Sequence, residues 1–280
     1  GTPYGQNHFY DLFTKAQNSD NPNWFSVIYR ASDTKLINHN ELQDAKETMS
    51  EEQFNQEFEC SFTSQITGSY YANLINKAKQ ENRIKDFTLD DNALTHTAWD
   101  IGVGDSTAIW FFQKIGREIH VIDYYENHGL SMSHYIKILQ TKPYIYGDHY
   151  APHDIKVREW GTGKTRLEQA LHLGILFKIV PRISLEDGIN AVRLVLPRCY
   201  FHQTNTKEGI KALENYHQEF DNANKVYLAY PHHDWTSHGS DAFRYLALSI
   251  KDYQSTTKNS ELTLNDLLIT YDKQQPPKRI

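Results

Sequence analysis

The 280-residue sequence contains two cysteines and two methionines, and no apolar run approaches the roughly 20 residues of a membrane span. Cys60 and Cys199 lie far apart with no C-x-x-C pair, which excludes a cysteine-based zinc site and suits a reducing cytoplasm. No signal peptide precedes the polar N-terminus, so the composition predicts a soluble protein. Positive charge is also scarce: 29 Lys and Arg stand against 35 Asp and Glu, a formal net charge of −6. That balance argues against coating nucleic acid by bulk electrostatics. It leaves room for a nuclease, because metal-binding carboxylates add negative charge that cations later offset.

A complete phosphate-binding loop is missing as well. The stretch WGTGKTRLE (160–168) ends like one, but Arg158 stands where the first glycine is due, and a side chain there blocks the backbone cradle. The same residues read as a helix start. Thr165 and Glu168 have capping-box spacing ahead of Leu167, Ala170 and Leu171, and Gly174 supplies the stop.

What is present is enough apolar content, 39%, for one large domain or a domain with an appendage. Residues 1–90 are polar, with two helical patches, NHFYDLFTKA and SEEQFNQEFECSF, and read as an N-terminal extension. From residue 93 the texture changes to short β-branched and aromatic runs: THTAWDIG (95–102), TAIWFFQ (107–113) and REIHVIDYY (117–125). After these three hairpin-linked strands come a helix over 131–140, a strand over 143–148 and the capped helix. A strand over 175–180, helices over 184–196 and 207–220, a strand over 225–230 and a helix starting near Asp241 complete the pattern. The order predicts an α/β domain with a mixed sheet flanked by helices over 91–255, followed by a polar tail, 256–280, with little order.

Fourteen histidines crowd near acids, as in GDHYAPHD (147–154) and PHHDWTSHGSD (231–241). The acids that stand out lie at strand ends or at a helix start. Asp100 interrupts the first strand beside Gly102 and Gly104, Asp148 ends the fourth, Asp154 follows in APHD, and Asp241 opens the last helix. Carboxylates drawn from distant points repel unless a cation lies between them, and hard oxygen ligands favour Mg²⁺ or Mn²⁺. Two such ions about 4 Å apart suit phosphodiester hydrolysis.

The chain resembles the C-terminal portion of bacteriophage terminase large subunits. The segments that carry the resemblance are GTPYGQNHFYDLF (1–13), FECSFTSQITGSYY (58–71), WDIGVGDSTAIWFF (99–112), GDHYAPHDIKVREWGTGKTRLE (147–168) and HDWTSHGSDAFRYLA (233–247). It implies an RNase H-like nuclease domain preceded by the end of an ATPase domain and a linker, cutting concatemeric double-stranded DNA with two Mg²⁺ or Mn²⁺ ions. Portal protein and the small terminase subunit are the implied partners, and the host cytoplasm the implied location. Asp100 then matches the first-strand acid and Asp241 the late-helix acid. The middle acid is Asp148, by its place in the strand, or Asp154, by the Pro-His-Asp signature. Both are expected within roughly 8 Å of Asp100 and Asp241, given the metal spacing and ligand bond lengths. Asp105, Asp234 and His238 are second-rank candidates. His153, Arg158, Lys164 and Arg166 are expected to contact DNA, and His149 either DNA or a metal. No ATPase activity is expected from this chain. Two alternatives share parts of this reading: an RNase H-like nuclease of resolvase or transposase type, and a non-catalytic module that docks on portal or small subunit.

Overall fold

The structure is a computed structural model that describes residues 8–49, 51–62, 68–102, 105–158, 163–221 and 226–250. The expected polar tail lies outside these residues. The N-terminal helices are α1 (His8–Gln17), α2 (Ala31–Thr34), α3 (His39–Thr48) and α4 (Glu51–Glu57). Phe9, Tyr10 and Phe13 of α1 gather around Phe62, and Asp11 accepts a hydrogen bond from Lys211 at 2.9 Å. Then follow α5 (Ala72–Gln80) and the short strand β1 (Ile84–Lys85).

The three aromatic and β-branched runs become β2 (Thr95–Ile101), β3 (Ser106–Ile115) and β4 (Glu118–His128), paired antiparallel in sequence. Helix α6 (Met132–Thr141) leads to β5 (Tyr146–Ala151), and α7 (Arg166–His172) to β6 (Phe177–Ile179). The remaining elements are α8 (Leu185–Val195), β7 (Cys199–His202), α9 (Lys207–Asn215), β8 (Gln218–Asp221), β9 (Val226–Pro231) and α10 (Ser237–Leu248).

Among the described residues seven strands form one sheet in the order β1-β7-β4-β3-β2-β5-β6. Only β3 runs against its neighbours: β2, β5 and β6 are mutually parallel, as are β4, β7 and β1. The stretch β4-β3-β2-β5-β6 is the RNase H-like arrangement, and the sheet is mixed and flanked by helices as expected. Both faces of β3 are covered, with every residue from Thr107 to Gln113 buried. Trp99, Ile101, Ile109 and Phe111 point to one face, where they join Tyr135 and Leu139 of α6 and Ala170 of α7. Ala98, Ala108 and Trp110 point to the other, which α10 covers.

The capped helix forms as its sequence predicts. Thr165 accepts from the Glu168 backbone N–H at 3.0 Å, and Glu168 accepts from the Thr165 N–H at 2.8 Å. Arg158 bridges back to Thr165 and donates to the Gly163 carbonyl at 2.9 Å, so the glycine-lysine-threonine turn is occupied in building a helix start. Trp160, Gly161 and Thr162 lie outside the described residues, as does Gly104.

Several expectations fail. The helix foreseen over 207–220 stops at Asn215, and residues 218–221 pair with 226–231 in a separate antiparallel hairpin. The strand foreseen over 225–230 therefore belongs to that hairpin and not to the main sheet. Strand β7 was not foreseen. The run CYFH is only four residues long, and its alternating burial, with Cys199 and Phe201 inside, is too brief to register as a period.

Helix α10 lies unusually close to the sheet. Trp110 donates its indole N–H to the Gly239 carbonyl at 2.8 Å, and a Cβ at Gly239 would stand 2.7 Å from the Tyr124 hydroxyl and 3.0 Å from Ala212 Cβ. Gly239→Ala should therefore lift α10 or displace Tyr124, and lower stability by about 1–3 kcal/mol. Denaturant unfolding checks this; an unchanged midpoint would show that α10 can lift without cost.

Candidate functional site

Asp100 is the penultimate residue of β2 and shares a sheet face with Ala98. Ala98 pairs with Trp110, whose ring packs edge-on against Phe243 of α10 at 5.2 Å, so Asp100 faces the N-terminal half of that helix. There His238 meets it. The imidazole Nδ1 is 3.0 Å from Asp100 Oδ2, and Nε2 is 3.0 Å from Asp105 Oδ1. A ring with a carboxylate at each nitrogen is an imidazolium donating both protons. Its pKa is pushed up to about 9, chiefly by the hydrogen bond to Asp100 and against the effect of burial, with the charges of Asp100, Asp105 and Glu126 adding.

Asp241 was expected to open this helix. Instead α10 begins at Ser237, after a turn in which the Asp234 carboxylate accepts from the N–H of the N-cap residue Thr236 at 2.9 Å and from its hydroxyl at 2.5 Å. Asp241 thus sits one turn in and pairs with Arg244 at 3.2 Å. Burial pushes its carboxyl up to about 6 against the pull of Arg244, and the charge of Asp100 adds to the rise. Asp100 is also raised. Burial contributes most, His238 opposes it, and the charge of Asp154 pushes further up. The charges that act on Asp100 and Asp241 thus come from one electrostatic cluster that includes Asp154 and His238.

Arg244 passes beside α8, where a Cβ at Gly188 would stand 2.3 Å from Arg244 Cδ. This glycine, in the interior of an otherwise good helix sequence, leaves the channel through which the guanidinium reaches Asp241.

Asp148 does not join the cluster. In the parallel β2–β5 register Ala98 pairs with Tyr150, so Asp148 is offset from Asp100 by about four residues, or about 13 Å along the strands. It was expected at the end of its strand, but β5 continues to Ala151. Its carboxylate is held by Lys178 at 2.9 Å and the Tyr150 hydroxyl at 3.0 Å, and these bonds outweigh burial and keep it below the ordinary range. Asp154 lies beyond the strand in a 3₁₀ turn over His153–Lys156.

The other expected residues divide. Asp105 is in the cluster, exposed, with His233 Nε2 at 3.8 Å from its second oxygen. The ligand atoms of Asp105, His233 and His238 lie within 4.8 Å of one another, a spacing that a metal ion can bridge. His149 is buried on the opposite face, bonded to the Thr97 hydroxyl at 2.6 Å, and burial lowers its pKa to about 4. It is a neutral core histidine. Arg166 donates to the Ile101 carbonyl at 2.7 Å and so fixes the end of β2 beside Asp100. Lys164 and His153 are exposed. His233, Arg244 and Gly188 were not singled out in the sequence; the doubled histidine of PHHDWTSHGSD was the available signal for the first.

The His238 pKa gives a sign that can be measured. It is raised from the unfolded value of about 6.5, so the ion pairs stabilise the fold fully below that value and are lost as the pH rises through about 9. In EDTA, His238→Gln should be less stable than wild type by about 1–3 kcal/mol near neutral pH, and the gap should close as the pH passes about 9. Thermal unfolding across that range decides: a gap of constant size would mean a neutral imidazole.

No family model matches the chain. Among characterised proteins it is similar to the terminase large subunit of Escherichia phage T5, at 25% identity over 257 residues, 89% of this chain. The chain spans 57% of that relative's length. Among solved structures it is similar to the large terminase of a thermophilic bacteriophage, in complex with ATP-γ-S, with a TM-score of 0.51 and 12% identity, covering 88% of this chain and 61% of that one. The nuclease domain of the bacteriophage SPP1 large terminase, with bound Mn, is 18% identical over 54% of this chain and 84% of that domain, with a TM-score of 0.42. The resemblance carried by the sequence motifs therefore holds: this chain is similar to the phage terminase large subunits in sequence and in fold.

Proposed function

We propose that the chain carries the metal-dependent endonuclease of a phage DNA-packaging terminase and hydrolyses phosphodiester bonds of concatemeric double-stranded DNA. One observation carries the reading. Asp100, Asp154 and Asp241, separated by up to 141 residues in sequence, converge closely enough that the charge of Asp154 raises the proton affinity of Asp100, and that of Asp100 raises the proton affinity of Asp241. Carboxylates crowded in this way at the open edge of a sheet are stabilised by a cation.

The donor set fits a divalent ion. It is rich in hard carboxylate oxygens, with the imidazoles of His233 and His238 at one side. Asp100, Asp154 and Asp241 are the proposed ligands, with Asp105 and His238 beside them. Asp148 is left out, because Lys178 and Tyr150 occupy its carboxylate. Two bound Mg²⁺ or Mn²⁺ ions would activate a water and stabilise the leaving oxygen. The protein's own part is to hold the acids rigid, and to keep the site partly shielded: the Asp100 and His238 side chains are 17% and 12% exposed. Such a setting strengthens charge interactions without closing the site to a strand of DNA.

Residues 1–90 are proposed as the end of the ATPase domain with its linker, 91–255 as the nuclease domain, and 256–280 as a tail. Portal protein and small terminase subunit are the proposed partners, in the host cytoplasm. Lys164, at the start of α7, is a proposed phosphate contact, and Arg158 and Arg166 shape the same edge.

Purified protein should nick or linearise plasmid DNA with Mn²⁺ or Mg²⁺, with little sequence preference because phosphate contacts carry no base information. Cleavage should stop in EDTA, and cleavage that persists undiminished there would remove the metal mechanism. Asp100→Asn should abolish cleavage while the protein stays folded, since the amide keeps the shape and loses the charge. Wild-type cleavage by this variant would reduce Asp100 to a strand-end residue.

A further inference from the structure

A cavity of about 190 Å³ lies beside the acid cluster and takes no part in the reading so far. It opens where β5 and β6 end, between the turn at His153, the connection Val180–Ser184 and the later turns of α10. Its floor is apolar, from Val180, Ile183 and Leu248. Its basic lining consists of Arg182 and Arg244, with the imidazole of His153 beside them. No acid is among its lining residues, although Asp154 follows His153 and Glu186 follows Leu185 in sequence; Asp187 is bonded to Ser184 at 2.7 Å. His153 and Arg182 are exposed and engage no acid among the described residues. Arg244 joins the cavity to the cluster, because it also pairs with Asp241.

We propose that this cavity seats a backbone phosphate of the DNA, away from the bond that is cut, with the deoxyribose over the apolar floor. The proposal rests on the nuclease reading and adds a binding subsite to it. A wall with two guanidinium groups, a histidine and no carboxylate selects an anion, and the planar fork of arginine matches phosphate oxygens. The apolar floor suits the sugar that accompanies the phosphate, and not a free inorganic ion.

Strand spacing sets the distance. From β2, which carries Asp100, to β6, which leads into the cavity, there are two strand steps, about 10 Å. Phosphates of one strand advance about 3.4 Å along the duplex axis, so the seated phosphate lies roughly three nucleotides from the cut. The subsite anchors and orients the duplex without reading its bases.

The test is equilibrium binding of a short fluorescein-labelled duplex to the full chain in EDTA, by anisotropy, over a series of salt concentrations. Arg182→Ala should weaken binding on the order of tenfold and reduce the salt slope by about one. Arg117→Ala, an exposed arginine at the β3–β4 turn at the far end of the strands, should leave both near wild type. With Mn²⁺ present, Arg182→Ala should raise KM and leave kcat nearly unchanged, as expected for a group that binds ground and transition states alike. Wild-type affinity and slope in Arg182→Ala, or equal losses in the two variants, would overturn the subsite while cleavage by wild type upheld the nuclease. Wild-type protein that binds DNA but cuts with neither metal would remove the nuclease reading, and the Arg182 comparison would still judge the cavity. A wild-type chain that does not bind DNA overturns both.

Discussion

The contact between the Trp110 indole and the Gly239 carbonyl sets the position of everything at the site. It fixes the height of α10 above β3, and it acts at a residue that the polar groups flank: His238 precedes Gly239 and Asp241 follows two residues later. The alanines at 98 and 108 keep that sheet face low on either side of Trp110, and Phe243 closes the interface from the helix. A helix held one side-chain layer higher would carry His238 out of hydrogen-bond reach of Asp100, and the cluster would fall apart into unrelated surface acids.

Close approach creates a charge problem that the chain meets with two cations of its own. His238 lies between Asp100 and Asp105, and Arg244 pairs with Asp241. Each neutralises part of a group of acids that would otherwise destabilise the fold by mutual repulsion. Neither cancels it: Asp100 and Asp241 both remain above the ordinary carboxylate range. Residual repulsion of this kind is what gives a cluster affinity for a further positive charge. Gly188 belongs to the same solution, since only a residue without a side chain lets Arg244 cross α8 to reach Asp241.

The sheet was legible because its strands are long, aromatic and β-branched, and because the hairpins that join them are short. The capped helix was legible for a local reason, the Thr165–Glu168 box, which needs no tertiary information. What escaped was either too short to show a period, as with β1 and β7, or dictated by distant packing. Residues 218–221 form a strand only because β9 returns beside them. At the site, Asp100 and Asp241 could be picked out as single acids, and the crowding of histidines near acids pointed to a polar centre. The roles of Arg244 and Gly188 are invisible in sequence, because each depends on the crossing of α8 and α10, and the start of α10 was misplaced because the turn that leads into it is closed by Asp234, three residues upstream of Ser237.

The choice between Asp148 and Asp154 turns on strand direction. Strands β2 and β5 run parallel, so residues that follow the end of β5 lie at the same edge as Asp100, whereas residues within it lie further back. Asp148, third in β5, is therefore held inside the sheet and finds partners there in Lys178 and Tyr150. Asp154 needs the chain to turn back after Pro152, which a loop alone would not fix. Ile155 fixes it: this side chain is fully buried in the core with Trp99 and Ile101, so the 3₁₀ turn is pinned at the residue next to the acid. The same edge, extended one strand further to β6, carries the cavity with Arg182. Parallel strand ends thus place an acidic centre and a basic pocket side by side along one line, the charge pattern on which the proposed binding of a phosphodiester backbone and its cations rests.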